Sequence, residues 1–263
     1  MLRSIKSLFG FTMGATDGEI GKVKDFYFDD RTWQIRYLVL ETGNWLFGRK
    51  VLLSPVALQT PDWNARVFPV NLTKDQIKHS PDIDAEKPIS RDQETELHSH
   101  YSWPYYEGGG VGFMTTGMVG GVVAPDIPFE ERISDEIQHP GEINQPPREL
   151  HLRSVKRVTG YDIHAADAEL GDVEDFLVDD TTWILSGLVV ETGNWYSGSK
   201  ILLPTNSITK IEWETSSVYL DQTTDMLKNR PEFDYDRPIS EDFLNTLKSN
   251  TSTDSSMFDR SGS

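Results

Sequence analysis

The residues best suited to metal chemistry are two pairs of adjacent aspartates, Asp29 with Asp30 and Asp179 with Asp180. Clusters of carboxylate oxygens bind calcium and magnesium, so each pair is a candidate divalent-ion site. The spacing lacks the alternating ligands and the glycine of an EF-hand loop, and adjacent aspartates at the end of a hairpin commonly cap backbone N–H groups. The sequence therefore favours a structural role in turns and leaves a divalent-ion sensor as an alternative.

Catalytic chemistry has few candidates in this chain. It has no cysteine, which excludes thiolate metal sites and a cysteine nucleophile. Among the six histidines, His98 and His100 have a spacing that could chelate a metal, but their polar segment favours solvated side chains. The glycine run at 108–110 is not followed by the Lys-Ser or Lys-Thr pair of a phosphate-binding loop. We therefore predict a protein that is not an enzyme and has no cofactor.

Aromatic residues are the candidates for an interaction surface. Trp45 and Trp195 lie in matching Thr-Gly-Asn-Trp turns, where a tryptophan can contact a partner. The segment after residue 100 adds Trp103, Tyr105 and Tyr106. Stacking of single-stranded nucleic acid on the tryptophans is an alternative, but one of the two turns lies in a strongly acidic region, which opposes phosphate binding. We therefore predict protein partners, with nucleic acid disfavoured and homo-oligomerisation left open.

The elements that must position these side chains occur twice in the chain. Residues 2–97 align without a gap with residues 152–247, and about 38 of the 96 paired positions are identical. The Leu-Arg-Ser segment at 2–4 recurs at 152–154, so we predict that it belongs to the fold and not to a leader. Because the repeat exceeds the periods of solenoids and propellers, we expect each copy to bury its own core. The predicted units are repeat 1 at 1–97, a connector at 98–150, repeat 2 at 151–249 and a disordered tail at 250–263.

Both copies consist mainly of predicted strands. In repeat 1, Val23 to Phe28 and Trp33 to Leu40 are rich in β-branched and aromatic residues and flank an Asp-Asp-Arg-Thr turn, as in a hairpin. The apolar residues of the first strand cannot share one face under strict alternation, so a bulge is expected near Asp25, as in small closed barrels. Thr73, Thr223 and Ser90 are predicted to cap short helices. The predicted fold is mainly β, with two small β-barrels, each followed by one or two short α-helices.

The most specific motifs of repeat 1 are Asp-Gly-Glu-Ile-Gly-Lys-Val at 17–23, the Asp-Asp turn at 29–30, the strand at 37–40 and Lys-Val-Leu-Leu-Ser-Pro at 50–55. Together they resemble the PRC-barrel, a fold named after the cytoplasmic domain of the photosynthetic reaction centre H subunit. The resemblance covers both copies as a tandem duplication. It implies a non-catalytic protein-binding and assembly module. Its implied partner classes are a membrane-associated photosynthetic complex or, as for a ribosome maturation factor with this fold, ribosomes and RNA.

Charge differs between the two copies. The net charge is −17, of which residues 2–97 carry −1, residues 98–151 carry −6 and residues 152–249 carry −9. Such a difference arises from drift on a solvated face, or from copies that contact different partners or each other through complementary fields. No run of about 18 apolar residues predicts a membrane span. The lack of cysteine is typical of a cytoplasmic protein, and the resemblance implies a position peripheral to the inner membrane.

Overall fold

The structure is a computed structural model that describes residues 1–82, 89–104, 152–193, 198–228, 230, 232–237 and 245. Its strands form two separate sheets, and its helices are short. The prediction of a mainly β fold is therefore confirmed. The described parts of both repeats belong to one compact unit.

The first repeat contributes one sheet and two helices. Its elements are β1 (Leu2–Ser4), β2 (Thr12–Ala15), β3 (Gly18–Asp29), β4 (Ile35–Thr42), β5 (Lys50–Leu53), β6 (Val67–Pro69), α1 (Lys74–Lys78) and α2 (Arg91–Tyr101). The strand order is β5-β4-β3-β2-β6, in which β2 and β6 are parallel and the other neighbours are antiparallel. Thr73 and Ser90 each form a capping box at the start of a helix, as predicted.

The second repeat has equivalents of the strands of repeat 1 in the same order, together with an additional short helix and an additional strand. They are β7 (Leu152–Ser154), α3 (Val155–Val158), β8 (Asp162–His164), β9 (Glu169–Asp179), β10 (Leu185–Thr192), β11 (Lys200–Pro204), β12 (Ile208–Glu212), β13 (Ser217–Leu220) and α4 (Thr224–Leu227). The strand order is β11-β10-β9-β8-β13-β12, again with one parallel pair, β8 with β13. Each strand of repeat 2 from β7 to β11 lies about 150 residues after its equivalent in repeat 1.

The long central hairpin of each repeat contains the predicted bulge. The register of β3 against β4 shifts between Val23 and Asp25, and that of β9 against β10 shifts at the equivalent place. At the far end of each hairpin the chain turns through a left-handed tryptophan, Trp33 with φ 59° and Trp183 with φ 58°. The bulge confirms the prediction made from the broken alternation of β3.

The two repeats exchange their first strands. β1 of repeat 1 pairs antiparallel with β9 of repeat 2, and β7 of repeat 2 pairs antiparallel with β3 of repeat 1. The exchange is possible because β2 covers β3 only from Gly18 to Lys22, which leaves the edge at Tyr27 to Asp29 for β7. Each sheet is therefore completed by a strand from the other copy.

An aspartate at each of the two bulges holds an exchanged strand. The Asp175 carboxylate accepts hydrogen bonds from the Ser4 hydroxyl and, at 3.1 Å, from the Lys6 N–H. The equivalent Asp25 accepts from the Ser154 hydroxyl at 2.5 Å and from the Lys156 N–H at 2.9 Å. Asp175 is buried and Asp25 is half-buried, and removal from water raises the pKa of both carboxyl groups. The same device thus joins the repeats twice.

Arginines of the exchanged strands add a second pair of matched contacts. Arg3 Nε lies 2.7 Å from Asp180 Oδ2 of repeat 2, and its guanidinium stacks 3.4 Å from the centroid of the Trp63 ring. Arg153 Nε lies 2.6 Å from Asp30 Oδ2 of repeat 1. Each arginine therefore neutralises a hairpin-end aspartate of the other copy while its own strand extends that copy's sheet.

Most of the buried apolar residues of the two repeats form one hydrophobic cluster, and a smaller one lies in repeat 2. Phe28 of repeat 1 contacts Phe176 of repeat 2, with ring centroids 5.6 Å apart. Trp183 of repeat 2 packs between Phe26 and Phe68 of repeat 1, at 6.3 and 5.7 Å. The sequence-based expectation was a separate core in each copy. The cores are joined because hairpin-end aromatic residues of one repeat enter the interior of the other, and the domain boundaries given above remain predictions.

Cleavage of the connector is expected to leave the two repeats associated. A protease site introduced between residues 106 and 149, once cut, should give a complex that still migrates at the mass of the intact 29.8 kDa chain. The reason is that paired strands, the bulge aspartates and a common core would all have to be exposed on separation. Size-exclusion chromatography with light scattering measures the mass. Separation into two fragments under native conditions would contradict the exchanged-strand arrangement.

Candidate protein-interaction surface

The turn between β4 and β5, residues 43–48, is called the aromatic loop below. Its ends are joined by Thr42, whose N–H and hydroxyl both donate to the Arg49 carbonyl, at 3.0 and 2.7 Å. The indole N–H of Trp45 donates to the Ile20 carbonyl at 2.5 Å, and its half-buried ring packs against the core. These contacts fix the loop on the sheet, so its tip has a defined position.

Phe47 is at the tip of the aromatic loop and is 98% exposed. Its φ of 56° places it in the left-handed region, which turns the chain and directs it back toward β5. Transfer of a phenylalanine side chain from water to an apolar environment is worth about 1.5–3 kcal/mol. A buried aromatic anchor of this kind commonly dominates a protein–protein interface. Phe47 can therefore supply the apolar centre of a docking surface.

Cationic and polar groups surround the aromatic loop. Lys74 Nζ lies 5.4 Å from the centroid of the Trp45 ring. The Arg49 guanidinium donates to the carbonyls of Lys78 at 3.1 Å and of Ser80 at 2.6 Å, which ties the loop to the end of α1. An apolar tip with a polar rim is the usual composition of a protein-binding patch.

The other predicted surface aromatics have different positions. Trp103 is 9% exposed and stacks on Tyr101, with ring centroids 4.3 Å apart, so it belongs to the core and not to an open surface. Trp195, Tyr105 and Tyr106 lie outside the described residues and remain predictions. Of the five candidates, the structure thus places Trp45 on the aromatic loop and Trp103 beneath α2.

His98 is a buried structural residue between α2 and β4. Its Nδ1–H donates to the Pro104 carbonyl at 2.8 Å, and its Nε2 lies 2.7 Å from the Tyr37 hydroxyl, which is also 2.8 Å from Glu94 Oε1. Burial lowers the pKa of His98, which favours the neutral imidazole with its proton on Nδ1. The side chain is 1% exposed, so this network holds α2 on the sheet and is closed to a substrate.

His100 points away from His98 and does not form a chelating pair with it. Its Nε2–H donates to the Gln76 carbonyl at 2.8 Å, on the side of a polar groove of about 510 Å³ between α1 and α2. His79 lines the same groove and donates from Nδ1 to the Asp75 carbonyl at 2.8 Å. Each of these hydrogen bonds joins a histidine to a backbone carbonyl, and neither joins it to a nucleophilic side chain.

The paired aspartates have two different structural roles. Asp29 Oδ1 accepts from the N–H groups of Arg31 at 3.0 Å and Thr32 at 3.1 Å, and Asp179 caps the equivalent turn. Asp30 and Asp180 instead bind the exchanged arginines, as described above. In the ranges that the structure describes, no group of three or more His, Asp or Glu side chains is placed to hold a metal ion.

Two structural features were not found from the sequence. Phe47 was missed because its equivalent in repeat 2 is Ser197, so it lies outside the repeated pattern. Its position before Gly48 in a tight turn is the signal that could have identified it. The Ser–Asp contacts between repeats were missed although both residues are identical in the two copies, because identity at a distance of 150 residues does not show which copy each contacts.

Comparison with known proteins identifies the first repeat. Residues 5–77 match the family model of the PRC-barrel domain. The chain contains a PRC-barrel domain. The match confirms the resemblance for repeat 1, and it runs from the turn after β1 to α1, so it includes the aromatic loop. A search of curated proteins finds no match.

The PRC-barrel domain contains the tip residue Phe47, its anchor Trp45 and the bulge residue Asp25. Within the described parts of the chain, no helix has both the length and the apolar character needed to cross a membrane. The features of this domain are those of a compact β unit with one exposed aromatic side chain, held against a second repeat that has equivalent strands.

Proposed function

We propose that this protein is a non-catalytic assembly module in which both repeats are PRC-barrels and the aromatic loop of repeat 1 docks onto a protein partner. The observation that carries the proposal is the 98% exposure of Phe47 on a loop fixed by the Trp45 and Thr42 hydrogen bonds. A preformed aromatic tip loses little conformational entropy on binding, which favours affinity.

The chemistry of the described residues supports a binding role. Three of the titratable groups with shifted pKa values, Asp25, Asp175 and His98, are engaged in contacts that hold the fold together. The strand order β11-β10-β9-β8-β13 of repeat 2 corresponds to the order β5-β4-β3-β2-β6 of repeat 1. This correspondence supports the assignment of repeat 2 as a second PRC-barrel. A cytoplasmic location belongs to the same proposal and is supported by the lack of cysteine. The expected partner is a component of a larger assembly, with membrane-associated photosynthetic complexes as one class.

The variant Phe47→Ser tests the docking role of the aromatic loop. Serine is the residue at the equivalent position of repeat 2, so the loop is expected to keep its fold and the free energy of unfolding to change by less than about 0.5 kcal/mol. Affinity for a partner identified by crosslinking of the native protein should fall on the order of tenfold or more. Isothermal titration calorimetry measures this affinity.

The matched control is Met226→Ser, which removes an apolar side chain that is 40% exposed on α4 of repeat 2. We expect the control to retain the native affinity. Equal affinities of the native protein and Phe47→Ser would exclude the aromatic loop from the interface.

A further inference from the structure

One exposed face of the repeat 1 sheet is rich in lysine. The cross-strand register places Thr12, Lys22, Glu41 and Lys50 side by side on four neighbouring strands. Lys24 Nζ lies 2.8 Å from the central carboxylate, Glu41 Oε2. Hydrogen bonding and charge from Lys24, together with Lys50 and Lys156, lower the pKa of Glu41. This surface, called the lysine face, therefore has a positive field that its single central carboxylate does not cancel.

The equivalent face of repeat 2 is acidic. The same register there aligns Asp162, Asp172, Glu191 and Lys200, so three neighbouring strands each present a carboxylate. Glu174 occupies the position equivalent to Lys24, and its carboxylate pairs with Lys6 Nζ at 2.7 Å and Lys200 Nζ at 3.2 Å. This surface is called the carboxylate face. The two faces have the same strand arrangement and opposite charge.

The carboxylate face carries a cost for the fold. Like charges on directly opposed strand positions are destabilising. Burial and the neighbouring carboxylates of Asp162, Glu169 and Glu191 raise the pKa of Asp172. In the described part of the chain, no ion pair joins Asp162, Asp172 or Glu191 to a cation. A cation supplied from outside would relieve this repulsion.

We propose that the lysine face of one copy binds the carboxylate face of a second copy of this chain. The chain itself provides both surfaces, on equivalent strands of its two sheets, so every molecule carries one face whose charge complements a face of its neighbour. A contact between two different faces is heterologous, and it forms a ring or an open chain according to the rotation between successive copies. This interaction is separate from the docking of Phe47 and does not depend on it.

Ionic strength gives the first test of the inference. The net charge of −17 repels copies at low salt, and at about 0.15 M salt the Debye length of about 8 Å screens that long-range repulsion while close pairs persist. At about 1 M salt the Debye length falls to about 3 Å, and the close ion pairs between the two faces are screened as well. Association measured by sedimentation velocity should therefore be strongest near physiological ionic strength. A monomer of 29.8 kDa at every salt and protein concentration would overturn the proposal.

Exchange of charges between the faces gives the decisive test. Lys22→Asp with Lys24→Glu gives the lysine face the residues of repeat 2, and Asp172→Lys with Glu174→Lys gives the carboxylate face those of repeat 1. Each substitution installs a residue that already occupies the equivalent position in the other repeat. The fold is therefore expected to accept it, and thermal unfolding checks this. Either double variant should associate roughly tenfold more weakly.

The quadruple variant carries all four substitutions and exchanges the two faces. It should regain association to within about threefold of the native protein, because complementarity is restored. The control Arg31→Glu with Lys78→Asp makes the same charge change as the first double variant on exposed residues elsewhere, and it should associate as the native protein does. A quadruple variant that stays as weak as the double variants, or a control that is equally weak, would overturn the proposal. Loss of partner binding by Phe47→Ser alone would not affect it.

Discussion

Replacing Trp183 by alanine is expected to lower the free energy of unfolding by about 3–5 kcal/mol. The indole is 7% exposed and packs between two aromatic rings of the other repeat, Phe26 and Phe68. Its removal opens a cavity in the cluster that both repeats share, so the whole described fold should lose stability in one transition. Urea denaturation followed by far-ultraviolet circular dichroism and by intrinsic fluorescence measures the loss and its cooperativity.

Trp33→Ala is the matched control for this substitution. Trp33 and Trp183 are equivalent residues with nearly the same φ, 59° and 58°, so the backbone cost of alanine in the left-handed region cancels between the two variants. Trp33 is half-buried and stacks at 5.5 Å on Phe28 of its own repeat. We expect Trp33→Ala to cost about half as much. Equal losses of unfolding free energy in the two variants would contradict a larger contribution of Trp183 through its packing between the repeats.

Asp175→Ala is expected to destabilise the protein by about 3 kcal/mol. The substitution leaves the Ser4 hydroxyl and the N–H groups of Lys6 and Phe176 without their acceptor in a site where Asp175 is 1% exposed. An unsatisfied buried donor costs about 1–3 kcal/mol, and these donors share one carboxylate, so the losses overlap. Asp25→Ala should cost less, because Asp25 is only half-buried. Denaturation midpoints of the two variants provide the comparison.

Asp175→Asn separates the hydrogen bonds of this site from its charge. Burial raises the pKa of Asp175, so the folded protein holds the carboxyl proton more tightly than the unfolded chain does. The native protein therefore gains stability relative to the asparagine variant as the pH falls through the raised pKa of the folded state to the ordinary value of 3.8. Below pH 3.8 the difference in unfolding free energy between the two proteins is constant. At neutral pH, where the native carboxylate is ionised, the variant should lie within about 1 kcal/mol of the native protein.

The pH dependence is measured by urea denaturation of both proteins between neutral pH and about pH 3.5. A stability difference that does not change over this range would show that the carboxyl has no raised pKa in the folded state. A difference that moves in favour of asparagine at low pH would contradict the direction of the shift.

Local features of this fold could be predicted from the sequence because their causes lie within a few residues. The bulge at Asp25 follows from apolar residues that cannot share one strand face, and the caps at Thr73 and Ser90 follow from the Gln three residues later. Thr223 differs from its equivalent Thr73 and caps nothing with its side chain. The Asp167 carboxylate instead accepts from the N–H and hydroxyl of Thr224, at 2.8 and 2.9 Å.

The exchange of strands could not be predicted, for a reason specific to a duplicated sequence. Ser4 is bound by Asp175, but Asp25 has the same side chain at the same bulge of its own repeat. Arg3 likewise binds Asp180, although Asp30 is chemically identical to it. Local chemistry is satisfied equally by either choice, so only the path of the chain in three dimensions distinguishes them. Phe47 was missed because repeat 2 has Ser197 at the equivalent position, so a comparison of the two copies does not identify it.

The exchanged strands also bear on how the two halves can change over evolutionary time. If two identical polypeptides were joined in this way, every mutation would appear on both sides of the molecule at once. In a fused chain each half has its own codons, so position 22 can remain lysine while position 172 is aspartate, and position 47 can be phenylalanine while position 197 is serine. The common scaffold constrains the residues at its seam, and the outward surfaces are left to acquire separate specificities.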